Sequence, residues 1–320
     1  MQRRMMIGGA IGLVAAAAAG AWGWRRWSRG PALPRPRAPV TLATYDAALQ
    51  SLAPPSGPLR VYHLGHSLVG RDMPAMLAQM AGHTHASQLG WGTPLRAHWE
   101  PAVAITGFEQ ENAHPAFRPA HEALPSGQYD TVVLTEMVEL RDALRWHAGA
   151  AYLARWVLAA QSGNPDARIY LYETWHRLDD PAGWLARIDT DLNALWLGEL
   201  AQGAMAWGAP PVHIIPGGQV LAAAARAVEA GAVPGLARRE DFFARLPDGA
   251  VDPIHLNDLG AWLIALAHYA VLYHRSPEGL PPTVTRADGT PVALAADTAA
   301  ALQALVWQVV RTTPRTGVAT

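Results

Sequence analysis

Two short stretches carry residues able to do chemistry. Gly65-His66-Ser67 follows an apolar run, residues 59–64, that reads as a strand. If a helix comes next, a serine here presents its hydroxyl beside free backbone N–H groups that stabilise an anion. Asp252-Pro253-Ile254-His255 lies far downstream, in a predicted loop before the last long helix. A histidine near a serine hydroxyl can act as its general base. A carboxylate three residues upstream can fix the imidazole tautomer and stabilise the imidazolium. Pro253 stiffens the segment. Each stretch also has a plainer reading by itself. Ser67 can be an ordinary helix N-cap, and Asp252 can cap a turn that leaves His255 on the surface.

The surrounding pattern supplies elements to hold them. Strand-like runs at 59–64, 130–134, 168–172 and 212–215, with a weaker one at 86–89, alternate with helical spacing at 73–80, 148–160, 184–207, 219–229 and 256–273. The strands are near-continuously apolar, as buried parallel strands are. The spacing predicts an α/β fold, a three-layer α/β/α sandwich with a central parallel sheet of about five strands. Asp288-Gly289 marks a hairpin within 283–294, and 298–310 reads as a closing helix. Ligands of an open parallel sheet bind outside its carboxyl ends. The residues to weigh are therefore Gly65 to Ser67, Gly90 to Gly92, Thr135-Glu136, Glu173 to His176 and Pro216 to Gly218.

The 320 residues are half hydrophobic and 16% charged, which excludes a disordered chain. With 25 basic and 26 acidic residues the net charge is −1, so no basic surface for nucleic acid is implied. All the basic residues are arginine, and there is no cysteine for disulfides, thiolate metal sites or a cysteine nucleophile. Arg3-Arg4 precede a charge-free stretch, 5–24, followed by Arg25, Arg26 and Arg29. Residues 1–29 thus read as a signal peptide, with a resemblance to a twin-arginine export signal, or as an uncleaved membrane anchor. A buried helix of the domain is the third reading. Residues 30–57, with Pro31, Pro34, Pro36 and Pro39, read as a stiff linker and lead-in to a domain at 58–320.

The chain order, a serine block first and Asp-x-x-His near the end, resembles the SGNH (GDSL-like) hydrolase superfamily, in particular a little-characterised bacterial subfamily. The matching residues are Leu64-Gly65-His66-Ser67-Leu68, the stretch from Gly90-Trp91-Gly92 to His98-Trp99, Glu173-Thr174-Trp175, Ile215-Pro216-Gly217-Gly218 and Asp252-Pro253-Ile254-His255. The resemblance implies a flavodoxin-like sheet and acyl transfer without a metal or cofactor. Ser67 attacks an ester carbonyl, His255 takes its proton, and the N–H groups of Ser67 and Gly92 hold the oxyanion. The third block of that superfamily supplies an asparagine to the oxyanion hole. Here the equivalent stretch is Leu134-Thr135-Glu136-Met137, so only a protonated Glu136 or the Thr135 hydroxyl could donate. His66 replaces an Asp or Asn and is expected to orient the loop.

His66, Trp175 and His176 are the candidate substrate-binding residues, with His98-Trp99 as further pocket candidates and Glu173 as either a pocket carboxylate or a loop cap. The histidine pairs His83/His85 and His114/His121 have no obvious third ligand, so no metal site is expected. The expectation is an exported serine esterase, periplasmic or anchored to the inner membrane. It removes O-acyl groups, acetyl above all, from a carbohydrate or cell-envelope substrate, a small-molecule or polysaccharide ester. The rivals are an O-acyltransferase with the same triad and a non-catalytic carbohydrate-binding or assembly protein of the envelope.

Overall fold

The computed structural model describes residues 36–319. Residues 1–29, read as a signal peptide or membrane anchor, and the start of the expected linker lie outside the described residues. Among those described, no helix is long and apolar enough to cross a membrane.

Five strands make one parallel sheet: β1 (Arg60–Leu64), β2 (Thr84–Gln88), β3 (Thr131–Leu134), β4 (Arg168–Glu173) and β5 (His213–Pro216). Their spatial order is β2-β1-β3-β4-β5. Side chains alternate across it with period two. Val61, Val133, Tyr170, Tyr172 and Ile215 face one core. Tyr62, Leu64, Val132, Leu134, Ile169, Leu171 and Ile214 face the other. Both faces are covered, which is why the strands carry so few charges.

On the first face pack helices Asp72–Ala81, Gly217–Glu229, Asp258–Tyr273 and Ala296–Thr312, and on the second Gly149–Gly163 together with Leu192–Ala201 and Gln202–Ala206. The helical pattern at 184–207 is one run whose middle, Leu192–Ala201, takes wider π-helical turns. The stretch read as linker and lead-in also carries a helix, Leu42–Ala48. Its Tyr45 is buried, and its hydroxyl donates to the Val212 carbonyl at 2.5 Å, tying the lead-in to the start of β5.

Two local expectations change. Ser67 does not sit on a helix N-terminus: a turn at 67–71 intervenes and the helix begins at Asp72. Asp252 to His255 are not in a loop. They belong to β6/β7, a small antiparallel hairpin of Phe243–Arg245 and Val251–Leu256. Residues 283–294 form the hairpin Thr283–Thr285/Pro291–Ala293.

Candidate active site

All five strand ends point the same way, so the turns after them gather at one edge of the sheet. There the structure brings Ser67, His255 and Asp252 together. Ser67 Oγ lies 3.1 Å from His255 Nε2, and His255 Nδ1 lies 2.9 Å from Asp252 Oδ2. Ionised Asp252 only accepts, so Nδ1 carries the proton and Nε2 is left to accept from the Ser67 hydroxyl. The other oxygen of Asp252, Oδ1, accepts the backbone N–H groups of Ile254 and His255 at 2.9 and 3.0 Å. Burial pushes this carboxyl up, but those N–H groups and the His255 ring outweigh it and hold it below its ordinary value.

The serine turn is fixed from beneath. His66 is buried, its Nε2 donates to the Glu136 carbonyl at 2.9 Å, and its Nδ1 accepts the Leu68 N–H at 3.4 Å. Burial lowers its pKa to about 4, so the ring is neutral near pH 7. With both nitrogens engaged by the protein, His66 orients the loop, while its ring also borders the cavity. A relay runs alongside: the Gln88 amide donates to His98 Nδ1 at 2.9 Å, and His98 Nε2 donates to the Gly65 carbonyl at 2.8 Å. His98 is therefore buried support. Trp99 is buried too, edge-on to Trp156.

The hairpin bearing His255 is braced from the turn after β4. The Trp175 indole N–H donates to the Ile254 carbonyl at 2.8 Å, and the Leu178 N–H donates to the Pro253 carbonyl at 2.8 Å. Trp175 is 1% exposed and does not line the large cavity. It lines instead a smaller cavity of about 150 Å³ that Ser67 and His255 also border. Strand-end position marked it, but its ring turns inward beneath the hairpin. Glu173 is likewise a cap: its Oε2 accepts the Gly218 and Gln219 N–H groups at the start of helix Gly217–Glu229.

Ser67, Gly92, His255 and Ile254 line one cavity of about 1070 Å³. The N–H groups of Ser67 and Gly92 make no hydrogen bond among the described residues, leaving them available to an oxyanion. Neither candidate third donor reaches it. The Thr135 hydroxyl is buried and donates to the Tyr172 carbonyl at 2.7 Å. Glu136 turns the other way, its Oε1 accepting the Leu95 and Met137 N–H groups at 3.1 and 2.8 Å. Burial raises this carboxyl to about 7, against those two bonds. Its service is to anchor the Gly90–Leu95 loop to the turn after β3, which corrects its assignment to the oxyanion hole.

His176 lines the cavity but is almost wholly buried, with Nε2 3.1 Å from Asp191 Oδ2. Burial and then the Arg187 charge push its pKa down, against Asp191. Sequence reasoning missed its companions, Glu139 and Asp180, which with it offer ligand atoms within 4.8 Å of one another. Arg187 reaches both carboxylates, with Nη1 2.5 Å from Glu139 Oε2 and 2.8 Å from Asp180 Oδ2, and its Nη2 sits 2.7 Å from Asp191 Oδ2. The guanidinium thus supplies the countercharge a cation would bring. No spacing motif announces this cluster, because Glu139 and Arg187 come from different elements.

No protein-family model and no curated protein matches the sequence. Among solved structures the chain is similar to a protein from Parabacteroides merdae ATCC 43184 described as a GDSL-like lipase, at 12% identity over 68% of this chain and 96% of that one, with a TM-score of 0.39. It is also similar to a carbohydrate esterase family 2 enzyme with a carbohydrate binding domain from Corynascus thermopiles (Myceliophthora fergusii), at 12% identity over 52% of this chain and 58% of that one, with a TM-score of 0.30.

Proposed function

We propose that the protein is a serine ester hydrolase. The observation that carries this reading is the chain of contacts from Ser67 Oγ to His255 Nε2 (3.1 Å) and from His255 Nδ1 to Asp252 Oδ2 (2.9 Å), beside a cavity lined by Ser67 and Gly92, whose N–H groups make no hydrogen bond among the described residues. His255 Nε2 takes the Ser67 proton as Oγ attacks the ester carbonyl, and the N–H groups of Ser67 and Gly92 hold the oxyanion. The imidazolium returns its proton to the departing alcohol. Water, deprotonated by the same nitrogen, then releases the acid and frees Ser67. Asp252 stabilises the imidazolium throughout. The motif order shared with the SGNH superfamily supports the same assignment. The finer reading is removal of acyl groups from a carbohydrate or envelope polymer by an exported enzyme. Its export component rests on residues 1–29.

Acetate release from p-nitrophenyl acetate tests the assignment. Ser67→Ala eliminates it while circular dichroism stays native. Asp252→Asn presents an amide to Nδ1, favours the wrong tautomer and lowers kcat by about 10⁴-fold. Undiminished turnover in Ser67→Ala removes Ser67 as nucleophile.

A further inference from the structure

The aromatic residue that faces the cleft is Trp91, between β2 and helix Leu95–Trp99. The residue is 48% exposed, and among the described residues it is the one Trp, Tyr or Phe lining the larger cavity beside Ser67 and His255, Trp175 lining only the smaller one. The ring is held in place. Its Nε1–H donates to Glu111 Oε1 at 2.8 Å, and its backbone N–H donates to the Thr106 carbonyl at 2.8 Å. The indole lies directly against Gly107, where an added Cβ would come within 2.3 Å of ring carbon and where φ is +69°. Only glycine permits that approach. An aromatic face fixed in advance loses little freedom when a ligand covers it.

Glu111 and Arg71 line the same cavity as this ring. Glu111 Oε2 makes no hydrogen bond, and Arg71 makes no ion pair, among the described residues. Arg71 and Glu111 both lie near enough to His114, on the same wall, to act on its pKa, which burial lowers first. One cavity thus offers a flat apolar ring, an acceptor beside it and a fork of donors on its wall. A pyranose ring presents the complement, with C–H groups on its face and hydroxyls round its rim. The cavity, about 1070 Å³, is also far larger than a short acyl group requires.

We propose that Trp91 is the stacking platform for a pyranose ring that bears the ester, with Glu111 and Arg71 binding its free hydroxyls. The inference rests on the hydrolase reading for its chemistry, though not for its binding. Catalysis and binding are therefore measured separately. The first readout is the preference for acetylated methyl glucosides over ringless ethyl acetate, as a ratio of kcat/KM from acetate release. Trp91→Ala lowers that ratio by at least about tenfold, mainly through KM, and Trp91→Phe, which keeps a ring, retains most of it. A ratio unchanged in Trp91→Ala overturns the platform. So does a preference for acetylcholine that disappears with Trp91, because the ring then serves a cation. If no ester is turned over, the hydrolase reading fails and saturation-transfer NMR with methyl glucoside decides the platform alone. Ring-proton signals present with the native chain and lost in Trp91→Ala support it; no signal with the native chain overturns it.

Discussion

The indole N–H of Trp175 donates to the carbonyl oxygen of Ile254 at 2.8 Å, tying the turn after β4 to the residue that precedes His255. His255 itself is exposed on one side, so its position depends on the backbone that carries it. Trp175 is a positioning residue acting through that backbone.

Trp175→Phe keeps an aromatic ring and removes the donor, and because Trp175 is buried it also vacates part of the indole's packed volume. The lost bond costs about 1 kcal/mol of stability, read from the urea midpoint. Misplacing His255 lowers kcat several-fold while KM for p-nitrophenyl acetate stays near native. A change confined to KM contradicts the positioning role.

Gly65 has no room for a side chain, since an added Cβ would lie 2.4 Å from Thr135 Cγ2 and 3.0 Å from Val69 Cγ2. Gly65→Ala therefore pushes the serine turn off β3 and lowers both activity and melting temperature. Adding Thr135→Ser removes the clashing methyl but keeps the hydroxyl that donates to the Tyr172 carbonyl. The double variant recovers part of both losses. A double variant no better than the single one excludes the steric explanation.

Glu136 has its carboxyl raised by burial from an ordinary 4.5 to about 7. A raised folded-state value means that stability is full below about 4.5 and is lost as pH climbs through 7, by up to about 3 kcal/mol. Glu136→Gln cannot ionise. Relative to the native chain, its unfolding free energy improves between pH 5 and pH 8, and a pH-independent difference contradicts the assignment.

The buried histidines act in the opposite direction. Burial lowers His66, His98 and His268 from 6.5 to about 4. A depressed histidine contributes its full stability above 6.5 and loses it as pH falls toward 4, each by up to about 3 kcal/mol. Because His66 and His98 hold the Gly65–Ser67 turn, activity and structure fail together on acidification. Melting temperatures followed from pH 7.5 to pH 4 drop steeply below 6. A flat profile over that range sinks this account.

Ser67, Asp252 and His255, the members of the proposed triad, were legible in the sequence only together, from the order of a serine after an apolar strand and Asp-x-x-His before a long helix, since each stretch alone reads as an ordinary cap. The parallel sheet was legible too, since strands covered on both faces must be continuously apolar. What a strand-end residue does was not legible. Chain position puts Glu136, Trp175 and Trp91 near the same edge, yet local pattern leaves side-chain direction open. Tertiary packing turned the Glu136 carboxyl toward the Leu95 N–H, drew Trp175 beneath the hairpin and left Trp91 facing the cleft. Those outcomes depend on partners distant in the chain, such as Gly107 and Ile254, and no period or spacing in the sequence records such contacts.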